Sequence, residues 1–268
     1  MSYPLEELDD KERLKNLEEA LKFGNHKGVD ENEDLFEEMM NTDVIHGYSL
    51  VIPQEKTREL IGAIISPMNI VKQSTINKFG EIVPKKRLTH NQSMEFQSGT
   101  SVNSRAQKDL LQDVMYGSCL LWVIHQIVTY RLRYPNHRIL MQKVDFKSAY
   151  RRSHLNAKTA LQTITQFVKL NICFIALQLT FGGAPNPNYW SEISDTVTDL
   201  ANALLQCKDQ DPTVLHSPLQ SKVPRTPGNK DKCPFSKALP LIVDVGSSNM
   251  GQCDCYIDDL INFDKTCT

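Results

Sequence analysis

Cys255-Tyr256-Ile257-Asp258-Asp259-Leu260-Ile261 sets two adjacent carboxylates inside an apolar, strand-forming run. Burying charge there is costly unless something positive is held, so the pair is expected on a hairpin turn facing a divalent cation. An exposed acidic turn would look the same in isolation. A partner carboxylate raises the odds, and Asp145 supplies it. It ends the apolar strand expected over Ile139–Val144 and precedes Phe146-Lys147-Ser148-Ala149-Tyr150-Arg151-Arg152. Carboxylates delivered from separate strand ends are what two-metal phosphoryl transfer requires, with ions about 3.5–4 Å apart. That reading needs Asp145 within about 8 Å of the Asp258–Asp259 turn.

The elements around these residues read as an α+β pattern, an antiparallel sheet backed by helices. Leu14, Leu17 and Leu21 recur at helical spacing and Gly24 closes the run. Glu31–Asn41 reads as a second acidic helix with Leu35, Phe36, Met39 and Met40 on its apolar side. Val51-Ile52-Pro53 and Ile82-Val83-Pro84 suggest small strands interrupted by proline. Residues 105–134 are dense in apolar side chains, which predicts a largely buried helix or helix pair, with Trp122 and His125 in its core and a stop at Tyr134-Pro135. Ala157–Phe167 reads as helix, Ile172–Leu179 as strand, and Pro187 opens a long helix through Trp190, Ile193, Val197, Leu200 and Leu204. Residues 207–238 hold five prolines and little hydrophobicity, the marks of an inserted loop. Ala238–Val245 and Cys253–Phe263 read as two more strands.

The chain has 268 residues, 40% of them hydrophobic, enough for one large domain or two modest ones. No run of apolar residues is long enough for a membrane span, and the acidic start Met1–Asp10 is no secretory leader. An intracellular chain, nuclear or cytoplasmic, is expected. Its seven cysteines form no C-x-x-C pair, so they are expected as reduced, packed thiols; Cys253 and Cys255 would share one face of a strand. The formal net charge of −2 conceals an asymmetry: residues 1–41 carry 13 acidic and 5 basic side chains, and the remainder 19 and 25. Arg131, Arg133, Arg138, Lys143, Lys147, Arg151 and Arg152 stand against the single acid Asp145 within 131–152. Such a patch suits a polyphosphate backbone, although a solvated basic face has the same composition.

Four segments together resemble reverse transcriptases of retrotransposons. Asp145 with Tyr150 five residues later looks like the family's first catalytic motif, and Tyr256-Ile257-Asp258-Asp259 like its Y-x-D-D hairpin. Leu179-Thr180-Phe181-Gly182-Gly183-Ala184-Pro185-Asn186-Pro187-Asn188-Tyr189-Trp190 resembles L-P-F-G-x-x-x-A-P-x-x-F, with Thr180 where proline is usual, Asn186 where alanine is usual and Trp190 in place of phenylalanine. Lys85-Lys86-Arg87-Leu88-Thr89-His90-Asn91 is similar to the fingers motif K-x-R-x-x-x-D, with Asn91 in place of aspartate. The similarity runs from about Asp43 to the C-terminus.

The resemblance implies fingers and palm without a thumb: an acidic helical segment over 1–41, fingers over 42–138 and palm over 139–268, with 207–238 inserted. Asp145, Asp258 and Asp259 would be catalytic and hold two Mg²⁺ ions, Mn²⁺ being a substitute. Arg87 would grip the incoming triphosphate, Tyr150 would lie under the sugar and select dNTP, and Phe181 and Gly182 would floor the nascent base pair. Lys85, Lys86, Arg151 and Arg152 would touch template or phosphates. The implied partners are an RNA or DNA template with its primer, and dNTP. Because only nine residues follow Asp259, the second hairpin strand and a thumb are not expected to fit, and the isolated chain is expected to polymerise feebly. The rival expectation is a catalytically dead, domesticated fragment that binds nucleic acid or a protein.

Overall fold

The computed structural model describes residues 1–77, 79–96, 99–111, 114, 119–206, 252–256 and 259–265. They form mixed helix and antiparallel sheet, grouped in two compact units. The first comprises residues 1–112 and 148–190, the second 113–147 and 191–268. Packing therefore groups the segments differently from the contiguous 1–41, 42–138 and 139–268 division expected above. The expected loop 207–238 and strand Ala238–Val245 lie outside the described residues.

In the first unit the acidic N-terminal helices are part of the core. Helix α1 (Asp10–Phe23) is capped by the Asp9 side chain, which accepts from Glu12 N, and ends at Gly24. Its Leu17 and Ala20 are buried among Ala63, Ile65, Ala160, Ile164, Cys173 and Ile175. After the short α2 (Lys27–Asp30), α3 (Glu33–Ile45) buries Phe36 and Met40 against Val29, Met68, Ile70, Phe167 and Phe174. Strand β1 (Ser49–Pro53) pairs antiparallel with β6 (Ile172–Ala176), whose other edge takes β5 (Ile164–Phe167).

Between β1 and β5, β2 (Met68–Ile76) and β3 (Ile82–His90) form a nine-rung hairpin. Its tip is held by Asn77, whose Oδ1 accepts from Phe79 N and Glu81 N. The small strand expected at Ile82–Pro84 is thus the start of a much longer one. Ala157–Phe167 is not one helix. Only Ala157–Ala160 (α5) is helical, and Ile164-Thr165 enters the sheet because β6 offers a partner for these β-branched residues.

In the second unit β4 (Ile139–Asp145) pairs with β8 (Asp259–Lys265), which pairs in turn with β7 (Gln252–Tyr256). Cys253–Phe263 is therefore a hairpin, not one strand, and the second hairpin strand does fit after Asp258. Helix α4 (Cys119–Arg133) lies on this sheet. The expectation that it is largely buried fails: Gln126 and Tyr130 are buried, but Leu120, Leu121, Ile124, Ile127 and Leu132 are exposed and Trp122 and His125 only half-buried. A three-stranded sheet covers one stripe of the helix, and its apolar arc is wider than that stripe.

The long α6 (Asn186–Gln206) contributes Asn202, which closes the β7 edge through Cys253: its Nδ2 donates to the carbonyl and its Oδ1 accepts from the amide, both at 2.9 Å. Cys173, Cys253 and Cys255 are buried thiols outside any disulfide, as packed cysteines should be; burial pushes the Cys173 thiol up to about 12. No helix among the described residues is long and apolar enough to cross a membrane.

Candidate functional site

Each unit carries part of the expected set. In the second, Asp145 ends β4 directly opposite Asp259, the first residue of β8. Residues facing each other across an antiparallel pair have Cα atoms about 4.5–5.5 Å apart and share a face of the sheet, well inside the limit set above. Like charges in that position repel, so the rung asks for a cation. Lys143, two residues before Asp145 and thus on the same face, answers with its Nζ 2.6 Å from Asp259 Oδ2. Counting it only in a basic patch missed this role, although the two-residue spacing carries it. Tyr256 pairs with Asp259 at the hairpin end; Asp258 is outside the described residues. Among those described, no group of three His, Cys, Asp or Glu forms a metal cluster.

In the first unit Tyr150 sits in a 3-10 turn, Ala149–Arg152, opened by Ser148 with φ 57°. Its ring lies 5.1 Å from that of Phe181 and 6.3 Å, edge-on, from that of the buried Trp190. Phe181 remains 53% exposed, which leaves a ring surface open to a ligand. The Phe181 carbonyl accepts from His90 N, so the end of β3 is tied to this segment. Gly182 has φ 132°, and its backbone passes so near His90 that an added Cβ would lie 2.0 Å from that carbonyl oxygen. The close approach expected of this glycine is thus made to the end of β3. Asn103 fixes the turn that follows, donating to Gly182 O and accepting from Ala184 N, both at 2.7 Å.

Thr180 and Asn186, which depart from the pattern the 179–190 segment resembles, meet in one buried network. Gln92 Nε2 donates to Thr180 Oγ1 at 2.8 Å, Asn186 Nδ2 donates to the Thr180 carbonyl, and Asn186 Oδ1 accepts from Tyr3 Oη. Burial pushes the Tyr3 phenol well above its usual range, which keeps it a donor. Only the unusual residues were visible in the sequence; their partners lie far away along the chain.

Arg87 is exposed on β3, opposite Val71, on the face away from Ile70 and Leu88. Lys86 takes the other face, and its Nζ donates to Asn32 Oδ1. Arg151 is not available for template as expected. It is a half-buried ion-pair partner: Nη2 lies 2.6 Å from Asp43 Oδ2, both side chains are 17% exposed, and the guanidinium sits over Tyr48. Burial holds the Asp43 carboxyl above its usual range despite that neighbour. Arg151→Met should cost about 2 kcal/mol, because it strands a half-buried carboxylate, and Asp43→Asn added to it should recover most of the loss. Denaturant midpoints of the two single variants and the double variant would check this.

His90 gives the fold a pH dependence. It is buried, its Nδ1 has no partner among the described residues, and desolvation, helped by the Arg151 charge, lowers its pKa from 6.5 to about 3. Between those values the unfolded chain carries the extra proton, so stability rises with pH and is lost as pH falls. The loss approaches ~1.4 kcal/mol per pH unit, about 2 kcal/mol by pH 5. Urea unfolding at pH 7 and pH 5 should show it in the parent and not in His90→Gln; equal slopes in both would contradict the assignment.

Neither the protein-family models nor the curated proteins compared with this chain match it.

Proposed function

We propose that the chain is the fingers and palm of an RNA-directed DNA polymerase that joins dNTP to a primer 3′-hydroxyl. The observation that carries the reading is the Asp145–Asp259 rung. Asp259 already draws a cation, the Lys143 ammonium, and the carboxylate oxygens of the rung are the donors that a hard divalent ion takes.

Asp145, Asp259 and Asp258 would hold two Mg²⁺. Bound there, the ions would lower the pKa of the attacking hydroxyl and neutralise the leaving pyrophosphate. Lys143 would release Asp259 as the cation load rises. Arg87, exposed and without a carboxylate partner among the described residues, would take triphosphate oxygens bidentately. Tyr150, braced edge-on by Trp190, would close the space that a ribose 2′-hydroxyl needs, and the open part of Phe181 would lie under the nascent base pair.

The test is primer extension on an RNA template with Mg²⁺, parent against Asp145→Asn, with template binding followed separately by fluorescence anisotropy. Extension by the parent alone supports the reading. Equal extension by both, or none by either while template binding persists, would point instead to a nucleic-acid-binding module without catalysis.

A further inference from the structure

The first unit contains a cavity of about 440 Å³ that includes neither Arg87, Tyr150 nor Phe181. It lies under the N-terminal arm and is walled by the start of α1, the Ile61-Gly62 turn, Arg105 and the end of α5. Its size falls within the range of small-ligand sites, about 300–1,000 Å³.

Arg105 is its unusual member. The side chain is 6% exposed, yet its acceptors are all neutral: Ser101 O at 3.3 Å, Glu6 O at 2.9 Å and Gln162 Oε1 at 2.6 Å. Among the described residues no carboxylate is within ion-pairing distance of it. The other two cations on the wall are matched, Arg13 by Asp10 and Lys158 by Glu7. A buried charge without an ion-pair partner is unfavourable, and burial draws the Arg105 pKa below the usual arginine value, opposed only in part by the charge of Glu6. A guanidinium has five N–H donors in a fork suited to oxyanions; three are used here. The wall around it is mixed: Leu5, Leu8 and Ile64, with Ile61 at 87% exposure, form an apolar side, and Glu6 is the one carboxylate on it beyond the paired Glu7 and Asp10.

We propose that this cavity binds a small amphipathic oxyanion, its carboxylate or phosphate head on Arg105 and its apolar body along Leu5, Leu8 and Ile61. The inference stands independently of polymerase activity.

Isothermal titration calorimetry of the full chain with octanoate and with octyl phosphate tests it, octan-1-ol and inorganic phosphate serving as controls. At least one amphiphile should bind saturably at a single site, and the tighter of the two identifies the head group. Each control should bind at least about tenfold more weakly. Ile61→Asp, at an exposed position, should weaken binding about tenfold with an unchanged unfolding midpoint. Arg105→Met should weaken binding by at least as much, and should also lower the midpoint, because it leaves the acceptors Ser101 O, Glu6 O and Gln162 Oε1 without their donor. Should Arg105→Met fail to fold, Ile61→Asp still decides. The proposal is overturned if neither amphiphile saturates a site, if a control binds as tightly, or if either folded variant binds like the parent.

Discussion

On the polymerase reading proposed above, Asp145→Asn is expected to lower primer extension by about 10³-fold, ~4 kcal/mol of transition-state stabilisation, while the fold becomes slightly more stable. The two effects have opposite signs for one reason. Asp145 and Asp259 face each other on one rung, where like charges opposite one another cost roughly 0.2–1 kcal/mol. Lys143 offsets that repulsion only in part, because it is 62% exposed and such pairs are weak. A fold selected for stability alone would not keep both carboxylates; a site that must hold cations would. The amide removes the repulsion and leaves the Lys143–Asp259 contact in place, so the denaturation midpoint should hold or rise by a few tenths of a kcal/mol. A variant that extends primers as fast as the parent would deny Asp145 a catalytic role. One that is destabilised by more than about 1 kcal/mol would make it a structural residue.

What could be read from the sequence depended on how local the cause was. Helix α1 was legible because its leucine spacing and Gly24 cap lie within the helix itself. Strand β2 was not, since Met68–Ile76 lacks clean alternation and becomes a strand by pairing along the whole of β3. Ile164–Phe167 was misread as helix for the same reason: its strand character comes from β6, not from its own pattern. In α4 the apolar arc was visible, but how much of it the sheet would cover was not. The site divides similarly. Each strand end marked its own carboxylate, so the Asp145–Asp259 pair was legible in outline. His90 and Arg151 owe their properties to burial, which no short window reveals. The Tyr3–Asn186–Thr180–Gln92 network joins residues separated by up to 183 positions, and only its two unusual members stood out.

Gly182→Ala should cost about 4 kcal/mol or more, a large share of a domain stability of about 5–15 kcal/mol. Two costs combine. The first is conformational: φ is 132°, a region hostile to any side chain, worth about 1–3 kcal/mol. The second is steric. The added Cβ would meet the His90 carbonyl oxygen at 2.0 Å and its carbon at 3.0 Å. These are backbone atoms, so relief requires the end of β3 to move. That movement would break the bond from His90 N to Phe181 O and disturb the one from Asn103 to Gly182 O. Gly47 is the matched control. Its φ is 71° and nothing lies within 4 Å of its added Cβ, so Gly47→Ala should cost only about 1–2 kcal/mol. The difference between the two urea midpoints isolates the close approach. Equal losses would mean that the 180–186 turn accommodates a methyl group, and that its seat on β3 does not hold Phe181 beside Tyr150.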